Sequence, residues 1–326
     1  MTTLGLILLC LFVDDLIYAA KMAALLDWLE AIIRAKVTSI VVGQAEKYLG
    51  LEISRDREAR TITVRQEQYI SEMAASEGAT ATDVKPTPAN TTTDLLMEAR
   101  GTEPPLRSIV GKLRFPADRA HPGILHAMSA LASNQTEPSP IHVKAAKRVL
   151  GYLLGAKEQG VTVGGAGPIR LEAWVDASHR EEGESRAQLG VALRLNATSG
   201  MFLCRSVRDN HVSFSISEAE LRGFTLATFE VLWARYLLEE IGYPQPEATR
   251  IYEDNAAVVR LMESLASPTG RSKHINKLRK TAQQYVDRRE VACIKVPGVD
   301  NLADILTKNV DVLTFRRLNR AITGAK

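Results

Sequence analysis

The sequence predicts a mixed α/β protein whose C-terminal half is a single sheet with crossover helices. After residue 170 the segments follow the order three antiparallel strands, helix, strand, helix, helix, strand, helix, which is typical of a mixed sheet. A glycine-rich stretch separates this half from a first half of different rhythm. With 326 residues, 45% of them hydrophobic, the chain can form two or three domains. We expect domains at residues 1–85, 86–167 and 168–326.

A strand hairpin is predicted near the N-terminus. Residues 4–12 are apolar, the acidic pair Asp14-Asp15 follows, and residues 16–20 are apolar again. No basic residue precedes the run, and the acids interrupt it before it could span a membrane. We therefore expect a buried strand there. Next come a predicted helix (21–36), two strands (48–54 and 61–64) and a second helix (66–77).

The middle of the chain predicts a linker followed by helices. Thr, Ala, Pro and Asn dominate residues 80–105, which indicates a linker or an extended loop. A helical region is expected at residues 106–154, with helices at 124–132 and 142–154. Residues 160–168 contain four glycines and a proline, and we interpret them as the boundary of the last domain.

The last domain alternates strands and helices. Strands are predicted at residues 171–176, 188–195 and 200–206, with 211–215 as a further candidate. A long helix at 217–241 is ended by Gly242 and Pro244. The remaining prediction is a strand (249–253), two helices (255–265 and 274–289), a strand (291–296) and a final helix (301–308).

Composition excludes several classes of site. There are 41 basic and 38 acidic side chains, a net charge of +3, so any nucleic-acid surface has to be local. The three cysteines form no C-x-x-C pair, which argues against a disulfide framework or a zinc site. These features fit a reducing compartment. We expect an intracellular protein of the cytoplasm or nucleus that is neither secreted nor held in a membrane.

Four acids in the last domain stand where chemistry could use them. Asp176 ends its first strand and Asp254 its fourth, Glu220 lies in the first turn of the long helix, and Asp304 lies in the final helix. Strand ends and helix starts of such a sheet converge on one edge. Two Mg²⁺ ions, for which Mn²⁺ can substitute, bind carboxylates and stabilise both oxygens of a phosphodiester displacement. The set therefore predicts a two-metal phosphodiesterase.

Each acid also has an ordinary structural interpretation. Asp176 could begin a turn. Ser217 and Glu220 have the spacing of a capping box. Asp254 could cap the next helix, and Asp304 could be a solvated helix residue. The element order in which the four occur favours the functional interpretation.

Several motifs resemble the C-terminal part of Ty1/copia-type retrotransposon polyproteins, where a reverse transcriptase is followed by a ribonuclease H. The resemblance covers some 300 residues, with segments 107–113 and 145–153 similar to the connecting region. The other motifs are Phe12-Val13-Asp14-Asp15, Lys47-Tyr48-Leu49-Gly50, Ser217-Glu218-Ala219-Glu220, Glu253-Asp254-Asn255, Ser272-Lys273-His274-Ile275 and Leu302-Ala303-Asp304-Ile305-Leu306-Thr307-Lys308.

The resemblance implies a ribonuclease H-like mixed sheet preceded by an incomplete reverse-transcriptase palm and thumb and a helical connection. Its activity would be cleavage of RNA in an RNA–DNA hybrid, with the four acids as metal ligands. Glu220 is preferred to Glu218 because of the residues that follow it. Asp14 and Asp15 match two metal-binding aspartates of the polymerase. The polymerase's first aspartate and its fingers would precede residue 1, so we expect no polymerisation by this fragment alone.

Two basic patches are candidate contacts for a hybrid or a primer–template. One surrounds the start of the helix at 274–289, where helix N-H groups and basic side chains can bind phosphate. The other lies in the connecting region. Both could instead be ordinary charged helix faces. The three tryptophans are expected in the core. The candidate contacts are Arg271, Lys273, His274, Lys277, Lys144, Lys147 and Arg148, with Arg279 and Lys280 nearby.

Two alternatives to an active nuclease stay open. Departures from the family pattern, such as Ala177-Ser178-His179 after the first acid, are compatible with a decayed or domesticated element that only binds nucleic acid or folds. The chain could also act only together with other segments of a longer polyprotein.

Overall fold

The computed structural model describes residues 5–38, 40–92, 95, 101–179, 186–263 and 273–325, with the backbone alone for 273–275. The described strands form three sheets of two, four and five strands. The strands of the two smaller sheets all precede those of the five-stranded sheet in the chain.

The predicted N-terminal hairpin is present. Strand β1 (Ile7–Phe12) pairs with β2 (Asp15–Ala20), the register joins Phe12 to Asp15, and helix α1 (Ala23–Lys36) follows. The expected burial of the first strand is wrong, since β1 is exposed along most of its length. Trp28 in α1 is 57% exposed, which also corrects its predicted core position. The physical reason is that no described element covers this side of the hairpin, so its apolar side chains lack a second layer.

A four-stranded antiparallel sheet follows. Its strands are β3 (Lys47–Tyr48), β4 (Leu51–Asp56), β5 (Thr61–Arg65) and β6 (Gly160–Gly164), with helix α2 (Glu67–Ser76) after β5. The last strand comes from the glycine-rich stretch, and Gly160 and Gly164 lie so close to the β5 backbone that no Cβ would fit. The glycines therefore serve close strand pairing, and the domain limits stay a prediction.

A helical layer packs against one face of the five-stranded sheet. It contains α3 (Arg107–Arg119), α4 (Leu125–Ser133), α5 (Pro140–Gly155) and the C-terminal α9 (Val312–Thr323). Its core includes the fully buried Leu113, Leu131 and Leu153, and it also includes Trp174 of the five-stranded sheet and Leu306. Helix α9 was not predicted.

The five-stranded sheet confirms the predicted mixed topology. Its strands are β7 (Glu172–Ser178), β8 (Arg186–Arg194), β9 (Leu203–Val212), β10 (Thr249–Glu253) and β11 (Val291–Lys295), in the order β11-β10-β7-β8-β9. The first three pair antiparallel, and β10 is parallel to both β7 and β11. The segments predicted separately at 200–206 and 211–215 are one strand, β9, because the pairing with β8 continues to Val212.

Three helices cover the other face of this sheet. They are α6 (Ile216–Glu240), α7 (Ala256–Glu263) and α8 (Lys273–Asp287). Alternate residues of β7 face opposite sides, as the two-residue period requires: Ala173 and Val175 pack with Phe224 of α6, while Trp174 faces the helical layer. Trp233 of α6 is half exposed, contrary to its expected core position.

The predicted helix at 301–308 is wrong. The structure has two short 3₁₀ turns there, Gly298–Asp300 and Asp304–Leu306. The buried Asn301 side chain donates to the carbonyl of Val175 at 2.8 Å and accepts from the N–H of Ala303 at 3.1 Å. These bonds hold the segment against β7 and stop it from continuing as a helix.

Candidate metal centre

All four predicted acids meet at the carboxyl ends of β7 and β10, together with a fifth. They form two groups whose ligand oxygens lie within 4.8 Å of one another: Asp176 with Asp254 and Asp304, and Glu220 with Glu253 and Asp254. The groups share Asp254. Glu253 is fully buried and ends β10. Sequence reasoning missed it as a site residue, although it was part of the quoted Glu253-Asp254-Asn255 motif.

The start of α6 separates capping from the candidate site. Ser215, and not Ser217 as predicted, is the N-cap, and its hydroxyl accepts from the N–H of Glu218 at 3.1 Å. The Glu218 carboxylate accepts from the N–H of Phe214 at 3.0 Å and pairs with Arg222 at 3.1 Å. Glu220 lies two residues further along the helix, and its carboxylate faces the acids of the sheet. The N-cap thus lies two residues earlier than predicted, and Glu220 takes no part in capping.

The start of α7 likewise leaves Asp254 free for other contacts. Asn255, not Asp254, caps this helix, since its side-chain oxygen accepts from the N–H of Ala257 at 2.9 Å. The N–H of Asn255 donates to the Glu253 carboxylate at 2.8 Å. The Lys295 ammonium donates to the backbone carbonyl of Asp254. Capping therefore does not explain the Asp254 carboxylate.

The 3₁₀ turn that carries Asp304 lies directly over the central strand. The hydroxyl of Thr307 donates to the Asp176 carboxylate. The Lys308 ammonium lies 2.9 Å from Asp304 and 3.7 Å from Asp176. Gly190 pairs with Asp176 across β7 and β8 and leaves room for this turn.

Burial and mutual repulsion raise the pKa values of these acids. Burial is the larger cause and the neighbouring carboxylates add to it, so the pKa of Glu220 rises to about 10, that of Glu253 to about 8 and that of Asp304 to about 6. The pKa of Asp176 is also raised, mainly by burial. A cation that binds among these clustered acids would stabilise their ionised forms.

The residues fit divalent cations of the magnesium type. One oxygen each of Glu220 and Glu253 is buried without a hydrogen-bond partner among the described residues. A bound cation would satisfy both oxygens. Both groups consist of carboxylates, without His or Cys, which is the donor set that Mg²⁺ and Mn²⁺ prefer.

The basic candidates of the connecting region lie on α5. Lys144 and Lys147 are exposed on α5, and Arg148 is partly buried and donates to Thr87 at 2.9 Å. These three side chains line a cavity of about 550 Å³. Their role in nucleic-acid binding stays a prediction.

The second basic patch is only partly described. Lys277 is exposed on α8, but Arg279 is buried and donates to the carbonyl of Leu261, so it does not belong to a surface patch as expected. Arg271 lies outside the described residues. The side chains of Lys273 and His274, at the start of α8, do so too.

Asp14 and Asp15 occupy the tip of the β1–β2 hairpin. Asp14 is in the turn, Asp15 begins β2, and both are exposed. Among the described residues they join no third acid, His or Cys to form a ligand group. A metal-binding role for the pair stays a prediction. In the described part of the chain no helix is long and apolar enough to cross a membrane.

Comparisons with known proteins find retroelement Pol proteins among the relatives of the chain. No family model matches it. It is 27% identical over 315 residues to the retrovirus-related Pol polyprotein from transposon TNT 1-94 of Nicotiana tabacum, covering 93% of this chain and 23% of that protein. It is 29% identical over 184 residues to the putative transposon Ty5-1 protein YCL074W of Saccharomyces cerevisiae, covering 55% of this chain and 58% of that protein.

A solved foamy viral protease-reverse transcriptase in complex with RNA/DNA hybrid is also similar, at 13% identity with a TM-score of 0.46, covering 93% of this chain and 37% of that one. Over most of its length the chain is therefore similar to retroelement Pol polyproteins. More specifically, its homologues are Ty1/copia-type Pol polyproteins, as the motifs predicted. It spans about a quarter of the length of the TNT 1-94 polyprotein.

Proposed function

We propose that the chain is a divalent-metal-dependent nuclease that cuts the RNA strand of an RNA–DNA hybrid. The observation that carries the proposal is the pair of carboxylate groups sharing Asp254 at one edge of the sheet. A shared ligand between two groups suits two metal ions held about 4 Å apart, the arrangement that clamps both oxygens of a phosphodiester displacement.

Each residue has a distinct task in this proposal. Asp176 and Asp304 would hold one Mg²⁺ or Mn²⁺, Glu220 and Glu253 the other, and Asp254 both. Bound there, the metals would supply positive charge to the phosphate and activate a water. The chain itself orients the ligands: Asn301 holds the 3₁₀ turn against β7, and the cap at Ser215 leaves Glu220 facing the sheet.

The proposal of an RNA–DNA hybrid as substrate is supported by similarity to known proteins. Copia-type Pol relatives are retroelement proteins, and the similar foamy viral structure contains an RNA/DNA hybrid. The exposed Lys144, Lys147 and Lys277 would contact the hybrid or a primer–template through phosphates, which carry affinity without sequence preference. Other segments of the polyprotein would be further binding partners of the chain.

The test is cleavage of end-labelled RNA in a hybrid with Mg²⁺ present. We expect Asp176→Asn to lower the rate at least about 100-fold, since a metal ligand contributes several kcal/mol to the transition state. Asp300→Asn, which changes an exposed aspartate in the neighbouring turn, serves as the matched control and should cut normally. If wild type binds hybrid in a salt-dependent way and never cuts it, the decayed-element alternative holds instead.

A further inference from the structure

Lys308 is a cation built into one half of the candidate metal centre. Its ammonium lies 2.9 Å from Asp304 and 3.7 Å from Asp176, and Asp176 is almost fully buried. Burial would lower the pKa of Lys308, but the two carboxylates outweigh it and raise that pKa. The Lys308 ammonium therefore neutralises the charge of two buried or partly buried carboxylates.

The two halves of the centre differ in this respect. Among the described residues, no Lys or Arg forms an ion pair with Glu220 or Glu253; Lys295, on the same edge, donates to backbone carbonyls. The half formed by Asp176, Asp254 and Asp304 therefore has its own cation, and the half formed with Glu220 and Glu253 has none among the described residues.

The Lys308 side chain has the freedom to leave. It is 44% exposed, whereas the carboxylates that it pairs with are 4% and 16% exposed. A lysine has a flexible four-carbon stem and a compact, strongly hydrated charge, so it can exchange a buried partner for water. Asp176 does not depend on Lys308 alone, because Thr307 also donates to it.

We propose that Lys308 is a positioning residue that holds Asp176 and Asp304 together in the metal-free protein and is displaced when a divalent cation enters this half of the centre. Lys308 and the metal are then competitors for the same two carboxylates. The proposal rests on the proposed metal site. Its consequence is that Lys308 stabilises the metal-free fold and weakens metal binding, two effects of opposite sign that a purely structural lysine would not have.

The test compares Mg²⁺ binding by calorimetry with thermal unfolding in EDTA, neither of which requires activity. Lys308→Met should bind Mg²⁺ at least about 5-fold more tightly than wild type, the lower end of typical coupling between two linked ligands. The same variant should unfold at a lower temperature in EDTA and regain that loss in Mg²⁺. Lys308→Arg keeps the charge and should bind Mg²⁺ as wild type does.

Controls separate the possible failures. Lys157→Met removes a lysine that pairs with Glu67 outside the centre and should leave Mg²⁺ affinity unchanged, which excludes a general charge effect. If wild type binds Mg²⁺ and Lys308→Met binds it equally or more weakly, the inference is overturned and the metal site stands. If neither protein binds Mg²⁺, both are overturned. Should Lys308→Met not fold in EDTA, Lys308→Gln, which can still donate to Asp304, replaces it with the same expected signs.

Discussion

Gly190 is the position at which the fold and the candidate site depend most directly on each other. It lies opposite Asp176 in the pairing of β7 with β8. A Cβ atom there would lie 2.7 Å from the Thr307 methyl carbon, 2.9 Å from the Leu306 Cβ and 3.1 Å from the Ala303 carbonyl oxygen. Two of these three contacts are too short for a real side chain, and the third presses on the backbone of the turn that carries Asp304.

We therefore expect Gly190→Ala to destabilise the protein by about 1–3 kcal/mol, the usual cost of overpacking a filled core. It should also weaken Mg²⁺ binding, because the displaced turn carries Asp304. The assay is urea unfolding in EDTA together with Mg²⁺ calorimetry.

Gly223→Ala is the matched control for this change. Gly223 lies on α6, and its Cβ would meet Val175 at 3.2 Å and Ala177 at 3.5 Å, a tighter contact than usual that a side-chain shift can relieve. Alanine is favoured over glycine in a helix by about 1 kcal/mol, so we expect a net change within about 1 kcal/mol of wild type. Equal stability and equal Mg²⁺ affinity for Gly190→Ala and wild type would refute the packing argument.

Three further predictions concern charge, pH and packing. Asp254→Asn removes the ligand shared by both groups and should lower Mg²⁺ affinity more than Asp304→Asn does, measured by calorimetry; equal losses would contradict the sharing. The raised pKa values of Glu253 and Glu220 mean that the metal-free folded protein holds protons that the unfolded chain has released, so its free energy of unfolding should fall as the pH rises from 4.5 to about 8. Urea unfolding in EDTA across this range checks the sign, and a rise would contradict it. Leu131→Ala, in the fully buried core of the helical layer, should cost about 2–5 kcal/mol in urea unfolding, and a cost below 1 kcal/mol would contradict the layer's burial.

The mixed sheet could be predicted because its strands and helices have local sequence patterns: apolar residues alternate in the strands and have helical spacing in the helices. The segment at 301–308 could not, since its apolar residues have helical spacing and the bond that stops the helix joins Asn301 to Val175, 126 residues earlier. Glu253 was missed for a related reason: an acid that ends a strand looks exposed until the packing buries it. Trp28 is exposed because no described element packs over it, and the spacing of apolar residues in the sequence does not reveal this.

The placement of the four predicted acids shows what topology adds to a motif. Each acid taken singly has an ordinary explanation, and the structure assigns two of those capping tasks to neighbours, Ser215 with Glu218 and Asn255. The acids converge because parallel strands β7 and β10 end at one edge and the 3₁₀ turn crosses it. Element order was enough to expect the convergence, while the division into two groups required coordinates.

The proposed nuclease is tested most directly by presenting one labelled RNA strand in three forms: in a hybrid with DNA, in an RNA duplex and alone, each with Mg²⁺ and with EDTA. We predict that only the RNA in the hybrid is cleaved, that cleavage requires Mg²⁺, and that Asp254→Asn abolishes it. Cleavage of the hybrid that persists in EDTA, or in Asp254→Asn at the wild-type rate, would contradict the assignment of the carboxylate pair as the catalytic centre.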